Sequence, residues 1–323
     1  MTVELQQLRQ VIALAEHGSF VRAAAALHMS QPALSRSIQN IERQSGSELF
    51  LRTGNGVVPT DLGRLYIARS RDLLRMADDF ERETVHHGAL RTGRVAAGGG
   101  PYPSDAVLGR AAARCAERYP GVSVKVRAGD WDELLQRLRS RELDFFVAET
   151  STLQREPDLE VAPLHASHAL YFFARAGHPL SQRGEFTTSG VFAWPFVTPG
   201  RVPPRLLDPL LATQRGAMQS GSVARPFPAI ECNGLAPLKR VVASSDAVSA
   251  SILSCIANEL DDGTFVLLGT EPWMHLHYGI VSLAGRPRTQ AADTFLELVK
   301  DAERETAEDE QRLADRHGPA RRS

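Results

Sequence analysis

The first sixty positions alternate apolar and polar residues with the period of short helices. Apolar side chains recur at steps of three and four over residues 5–15, which predicts a helix with one buried side that ends at His17-Gly18. Ser19 and Ser30 each precede a further run of this period, and Pro32 stands in the first turn of the second run. The pattern therefore predicts three helices in close succession.

A hairpin and a long helix are predicted next. Two short apolar runs, residues 49–52 and 57–59, flank the turn Gly54-Asn55-Gly56, which is the pattern of a two-stranded hairpin. Thr60 can cap a helix that continues without a proline to His87-Gly88. Three helices with a hairpin beside them predict a winged helix-turn-helix followed by a linker helix.

The linker helix carries a repeat of its own. Tyr66, Leu73 and Phe80 recur at an interval of seven, the spacing of a coiled-coil seam. The rest of the chain could cover such a seam, but a second copy of the chain is the favoured partner.

Beyond residue 90, short apolar strands alternate with helices, the rhythm of an α/β fold. A second α/β unit is expected to begin near Leu164, and a final helix is predicted over residues 289–302. Residues 303–323 alternate in charge and end in GPARRS, so we predict a disordered tail.

Composition narrows the function classes. The formal net charge is -1 over 323 residues, so overall charge gives no support for nucleic-acid binding. The longest apolar stretches fall short of the roughly 20 residues of a membrane span. The opening residues lack the basic-then-apolar pattern of a secretion signal, so a cytoplasmic protein with no membrane partner is expected.

A specific motif occupies residues 13–63. It contains a GSF turn, an alanine-rich helix, the run SQPALSRSI, LF-R in the hairpin and T-x-x-G at the start of the long helix. This block closely resembles the DNA-binding domain of the LysR-type transcriptional regulators. ERYPGVSVKV, ELDFFV and ARAGHPL then follow in that family's order.

The resemblance implies a winged helix-turn-helix, a linker helix that dimerises, and an α/β effector domain with the periplasmic-binding-protein plan of two subdomains. The two crossings between subdomains are expected near residues 161–164 and 266–269, with the effector in the cleft. The expected boundaries are 1–60 for the DNA-binding domain, 61–90 for the linker helix and 91–302 for the effector domain, with subdomain I at 91–163 and 267–302 and subdomain II at 164–266.

The third helix is expected to read DNA, because the N-terminal residues of a helix in the major groove reach base edges first. Gln31 suits adenine, and Arg36 suits guanine or a phosphate. The wing is expected to meet the phosphate backbone, which positions the protein without specifying sequence. The predicted DNA-binding residues are Ser19, Ser30, Gln31, Pro32, Ala33, Ser35, Arg36, Gln39, Arg52 and Thr53.

Residues 1–60 hold five arginines and four glutamates. Because this domain is nearly neutral, one copy should bind DNA weakly, and affinity should come from paired copies on spaced half-sites. The expected partners are double-stranded promoter DNA, a small-molecule effector and further copies in a homodimer and homotetramer. RNA polymerase is a further candidate partner.

Ligands of open α/β sheets bind beyond the carboxyl ends of strands, which nominates loops in both predicted subdomains. Ser104, at a predicted helix N-terminus, and Arg201 are candidates to bind a carboxylate. The run Gly98-Gly99-Gly100 is not a phosphate loop, because no GK[ST] follows it. It also departs from the hydroxyl that the resembled family often has at this turn. The candidate effector-binding residues are Gly100, Tyr102, Ser104, Gly129, Asp130, Thr150, Thr198, Arg201 and Asp246.

Other residues do not favour catalysis. His165 and His168 form an HxxH pair, but no cysteine or carboxylate set lies nearby in the sequence, which argues against a metal site. Cys115, Cys232 and Cys255 have no close-spaced partner, which argues against a redox switch. We expect no catalytic residue, metal or cofactor.

Two alternatives stay open at this point. The α/β part could be a solute-binding protein or an enzyme whose N-terminal domain is only an interaction module. It could also belong to a regulator that senses no small molecule and uses this part for oligomerisation.

Overall fold

The computed structural model describes residues 4–53, 56–85, 92–150, 156–182, 186–219, 225–286 and 288–318. The chain divides into two compact units, residues 1–89 and 90–323. The turn residues 54–55 and the predicted linker-helix end at His87-Gly88 lie outside the described residues.

The first unit is a winged helix-turn-helix, as predicted. Glycines in the left-handed conformation, Gly18 and Gly46, end the first and third helices. Thr60 Oγ1 accepts a hydrogen bond from Gly63 N at 2.9 Å and so caps the linker helix. The elements are α1 Leu5–His17, α2 Phe20–Ala26, α3 Gln31–Ser45, β1 Phe50–Thr53, β2 Gly56–Pro59 and α4 Asp61–Val85.

One hydrophobic core holds these elements together. The buried sides of α1, α2 and α3 meet there with Leu49 and with Ile67 of α4. A Cβ built on Gly63 would lie 1.9 Å from Leu49 O, so only glycine lets α4 approach the wing this closely. Glu42 at the end of α3 accepts from Leu49 N at 2.8 Å and Phe50 N at 3.1 Å. The helix α3 and the wing are therefore fixed to each other.

The second unit contains two five-stranded mixed sheets. One has the order β4-β3-β5-β12-β6 and the other β11-β7-β10-β8-β9. The central strands are buried on both faces and have apolar runs such as FFVA in β5. The elements are β3 Gly93–Gly99, α5 Pro101–Pro103, α6 Gly109–Arg118, β4 Val122–Ala128, α7 Trp131–Arg139, β5 Phe145–Glu149, β6 Leu159–Ala169, β7 Tyr171–Arg175, α8 Thr188–Val191, β8 Phe196–Thr198, α9 Pro204–Gln219, β9 Ile230–Glu231, α10 Leu235–Ala243, β10 Val248–Ser251, α11 Ala257–Asp261, β11 Phe265–Gly269, β12 His275–Leu283 and α12 Gln290–His317.

The chain passes between the sheets twice, but later than predicted. The first passage is at Leu170, between β6 and β7, and the second is at residues 270–274, between β11 and β12. The predicted crossings at 161–164 and 266–269 are wrong, because Val161 pairs with β12 and Val266 pairs with β7. The subdomain boundaries at 163/164 and 266/267 move accordingly, since long-range strand pairing decides where β6 and β11 end.

The prediction of a disordered tail from residue 303 is also wrong. α12 runs to His317 and buries Glu303, Thr306 and Glu310. These positions continue the helical spacing of the apolar side. On the neighbouring side, Asp309 pairs with Arg110 of α6 at 2.7 Å. The alternating charges therefore serve packing between helices; residues 319–323 lie outside the described part.

Candidate functional site

The outer side of α3 is polar and accessible. Leu34, Ile38 and Ile41 are buried in the core, which turns the predicted reading residues outward. Of these, Gln31, Pro32, Arg36 and Gln39 are exposed, while Ala33 and Ser35 are half-buried.

The predicted helix caps and wing residues surround this surface. Ser19 and Ser30 are the N-cap residues of α2 and α3, yet neither side chain makes a capping hydrogen bond. Arg52 and Thr53 are exposed on β1. The Arg52 guanidinium carbon lies 5.2 Å from the centre of the Phe20 ring, a cation–π contact between the wing and the start of α2.

Gln10 and Glu42, which the sequence alone did not identify, position this surface. Gln10, only 6% exposed, accepts a hydrogen bond from Ser37 Oγ. This contact joins α1 to α3, as Glu42 joins α3 to the wing. Gln10 adjoins the apolar stripe of α1 in sequence, the one signal that could have identified it.

The linker helix exposes an apolar row. Leu65 is 54% exposed, Leu73 46%, Met76 61% and Phe80 66%. Tyr66 is half-buried against the core of the first unit. Tyr66 therefore does not belong to the exposed row, although Leu73 and Phe80 do.

A cavity of about 500 Å³ lies between the two sheets of the second unit. This volume is within the range of roughly 300–1,000 Å³ that is typical of small-molecule sites. Residues from both sheets and from the loops beyond their strands line it. The predicted effector-binding residues on its wall are Gly100, Tyr102, Gly129, Asp130, Thr198 and Arg201.

The cavity wall does not include the other three predicted residues, Ser104, Thr150 and Asp246. The helix begins at Pro101 instead of Ser104, and Ser104 Oγ donates back to Gly99 O at 2.8 Å. Thr150 packs over Gly279, where an added Cβ would lie 2.7 Å from its Cγ2. Asp246 forms an ion pair of 2.6 Å with Arg175.

The charged groups of the cavity wall have partners within the protein. Arg201 Nη1 lies 2.7 Å from Asp132 Oδ2, and Arg201 N donates to Asp130 Oδ1 at 3.3 Å. Glu156 pairs with Arg139. Arg201 was predicted to bind the carboxylate of a ligand. In the structure it binds the carboxylate of Asp132 instead.

Two hydroxyls on the wall differ from these charged groups. Thr198 is 2% exposed and Tyr278 is 1% exposed, and within the described residues neither Thr198 Oγ1 nor Tyr278 Oη has a hydrogen-bond partner. Burial raises the pKa of the Tyr278 phenol well above its ordinary value, so the phenol keeps its proton and remains a donor. Buried hydroxyls of this kind normally have partners.

A buried ionic cluster lies behind the Tyr278 ring. The ring stacks on His168 with 4.6 Å between centroids. His168 Nδ1 lies 2.9 Å from Glu310 Oε2, and His168 Nε2 lies 3.7 Å from Glu303 Oε1. Burial alone lowers the pKa of His168, but the two carboxylates of α12 outweigh it and raise the pKa to about 9. His168 is therefore a charged structural residue.

The remaining candidates for chemistry, His165 and the three cysteines, do not line the cavity. His165 is exposed on β6, away from the buried His168. Burial raises the pKa of Cys115, Cys232 and Cys255, which keeps these thiols protonated. Over the described ranges, no three His, Cys, Asp or Glu side chains are grouped to hold a metal ion, and no described helix is long and apolar enough to cross a membrane.

Comparisons with known proteins match both units. The family model "LysR substrate binding domain" matches residues 88–304, and the model "Bacterial regulatory helix-turn-helix protein, lysR family" matches residues 5–64. A relative from Pseudomonas sp. (strain ATCC 19151), the SDS degradation transcriptional activation protein, is 36% identical over 308 residues, which are 94% of this chain and 97% of the relative.

Two solved structures share the fold. A cysteine variant of full-length OxyR from Pseudomonas aeruginosa has a TM-score of 0.65 at 21% identity and covers 94% of this chain and 95% of its own. Full-length CbnR complexed with its target DNA has a TM-score of 0.63 at 20% identity and covers 93% of this chain and 100% of its own. At these identities the likeness concerns the fold alone.

Proposed function

This chain belongs to the LysR-type transcriptional regulators, and from that premise we propose that a small molecule in the cavity controls how it binds promoter DNA. The observation that carries the proposal is that one unit presents the polar side of α3 outward while the other unit holds a cavity between its two sheets. A ligand that touches both sheets can favour one arrangement of them over another.

The DNA contacts are assigned by chemistry. Gln31 can bind adenine through two hydrogen bonds, and Arg36 can bind guanine in the same way. We assign phosphate contacts to Ser19, Ser30, Arg52 and Thr53. Such contacts set the register of the protein on the duplex. Pro32 and Ala33 supply apolar contact to a thymine methyl group, while Ser35 and Gln39 complete the polar surface.

Dimerisation through α4 is part of the proposal. The near-neutral charge of residues 1–60 limits the affinity of one copy. Leu65, Leu73 and Met76 expose an apolar row that a second α4 would cover. Two linked copies on two half-sites bind far more tightly than one. A homotetramer and contact with RNA polymerase extend the same proposal.

The relative named for SDS degradation supports a proposal for the class of compound sensed. We place this chain among regulators that respond to compounds with an alkyl chain, and the largely apolar cavity supports that assignment.

Footprinting on the promoter beside its own gene tests the proposal. We expect a protected region with two half-sites, and Arg36→Ala should weaken protection by about tenfold or more, as expected for a lost bidentate base contact. Arg240→Ala removes the same charge from an exposed position of the second unit and should leave protection unchanged. If the Arg36 and Arg240 variants bind DNA with equal affinity, α3 does not read the DNA sequence.

A further inference from the structure

The cavity wall is unfavourable for an anion. Among its described residues are four carboxylates, those of Asp130, Asp132, Glu149 and Glu156, and a single guanidinium, that of Arg201. Arg201 is already bound to Asp132 at 2.7 Å. Glu156 is paired with Arg139, and Glu149 lies 3.8 Å from Arg205, so these arginines too are engaged by carboxylates of this chain. A carboxylate or sulfate that enters the cavity would leave water and would have to compete with those carboxylates for a counter-charge.

The inner part of the wall is apolar. It is built by aliphatic and aromatic side chains from both sheets and from α9. Burial of an apolar ligand against this surface lowers the free energy. These side chains offer no hydrogen bonds to replace the water of a strongly hydrated ligand. The residues are Leu170, Phe196, Leu206, Leu210, Met274 and Leu276.

Two wall residues, Thr198 and Tyr278, each carry a buried hydroxyl that has no hydrogen-bond partner among the described residues. They come from β8 in one sheet and β12 in the other. The Tyr278 ring is held by its stacking on His168. A phenol that keeps its proton donates, and a threonine hydroxyl both accepts and donates. An alcohol oxygen offers the matching acceptor and donor in one uncharged group.

We propose that the cavity binds an uncharged molecule with an apolar body and one hydroxyl group, an aliphatic alcohol, in preference to the carboxylate or sulfate of the same chain. Tyr278 donates to the ligand oxygen, and Thr198 is the second partner. This inference rests on the proposed effector role of the cavity and specifies the class of ligand.

Calorimetry on the full-length protein at pH 7, with 1-octanol, octanoate and octyl sulfate below their aggregation limits, tests this preference. The fluorescence of Trp131, which lines the cavity, gives an independent readout. We expect 1-octanol to bind at least about tenfold more tightly than either anion, since the two hydroxyls can replace the hydration of an alcohol but only part of the hydration of an anion. Tighter or equal binding of an anion, or no binding of 1-octanol, overturns the inference.

Three conservative variants test the assigned hydroxyls. Tyr278→Phe and Thr198→Val should each weaken 1-octanol binding by about three- to tenfold, the loss of one hydrogen bond. Neither should lower the Tm of the free protein, because each removes a buried hydroxyl that has no hydrogen-bond partner in the described part of the chain. Tyr119→Phe changes a half-buried tyrosine that does not line the cavity and is the control. Unchanged affinity in both cavity variants overturns the inference.

The charge argument has its own variant. Asp132→Asn removes the partner of Arg201 and one negative charge, so octyl sulfate should bind several-fold more tightly while 1-octanol binding stays constant. Unchanged octyl sulfate binding contradicts the charge argument.

Footprints with each ligand separate this inference from the proposed function. If octyl sulfate changes the footprint and 1-octanol does not, the ligand class is wrong and the effector role holds. If 1-octanol binds as expected and leaves the footprint unchanged, the ligand class holds and the effector role fails.

Discussion

On α3, the side chains of Gln31, Arg36 and Gln39 are exposed, and no hydrogen bond or ion pair within the described residues engages them. On the cavity wall, by contrast, Arg201 is bound to Asp132 and Tyr102 Oη donates to Ala250 O at 2.8 Å. The first surface keeps its polar groups available for a hydrated, charged polymer. The second satisfies most of its own polar groups, which leaves shape, apolar area and two hydroxyls to select a ligand.

The largest effect is expected behind the cavity wall, where α12 contacts His168. Glu310→Ala removes one carboxylate from buried His168 and should cost about 3–5 kcal/mol of unfolding free energy, the usual result of breaking a buried pair. Urea unfolding of the second unit measures it. Glu308→Ala, an exposed position of the same helix, should change little. Equal effects of the two variants would mean that the His168 cluster does not stabilise the fold.

The same cluster predicts a pH dependence. The pKa of His168 is raised from 6.5 to about 9, so its contribution is present in full below pH 6.5 and is lost as the pH rises through about 9. The loss amounts to at most about 3 kcal/mol. Unfolding free energies at pH 6, 8 and 10 measure it, and the Glu310→Ala variant should show a shallower fall. If the unfolding free energy falls equally with pH in both proteins, a group other than His168 causes the pH dependence.

The first unit should be vulnerable at a backbone contact. Gly63→Ala places a Cβ against Leu49 O, so α4 or the wing must move, at a cost of about 2–3 kcal/mol. Loss of the footprint with unchanged 1-octanol binding is the expected pattern, because the cavity lies in the other unit. Gly216→Ala, where a Cβ meets nothing within 4 Å, is the control. A normal footprint from Gly63→Ala would show that the contact relaxes freely.

The apolar row of α4 gives a smaller expected effect. Leu73→Glu places a charge in the proposed seam and should raise the dimer dissociation constant by about thirtyfold, or 2 kcal/mol. Sedimentation equilibrium measures it. Ile230→Glu changes an exposed apolar residue of the second unit, 38% exposed, and should leave the dimer intact. If both variants dimerise normally, α4 is not the interface.

The smallest effect is expected from Asp246→Asn. This residue pairs with Arg175 and does not line the cavity, so ligand affinity should change by less than about twofold, as for an exposed ion pair. Calorimetry with 1-octanol checks this, and a larger change would return Asp246 to the ligand site.

Local signals explain what could be predicted from sequence. The bounds of α1, α2 and α3 follow from caps and helical spacing within each segment, and the hairpin follows from its turn residues. Gly100 and Gly129 could be placed at the cavity because they follow strands, and the carboxyl ends of strands define that edge.

Long-range contacts explain what could not be predicted. The end of β6 depends on its pairing with β12. In sequence, Glu303 and Glu310 resemble ordinary surface charges, and they are buried only because the fold brings His168 to them across 142 positions in the case of Glu310. Tyr278 has no local signal either, since its place on the cavity wall depends on the register of β12.

The His168 cluster bears on how the ligand-binding half can be isolated. A fragment that ends at residue 302 would lack Glu303 and Glu310 and would leave a buried imidazole without counter-charge directly behind the cavity wall. Such a fragment should be prone to proteolysis and aggregation, and its failure in a ligand screen would reflect the truncation. Extending the fragment to residue 318 retains both carboxylates and the helix that presents them.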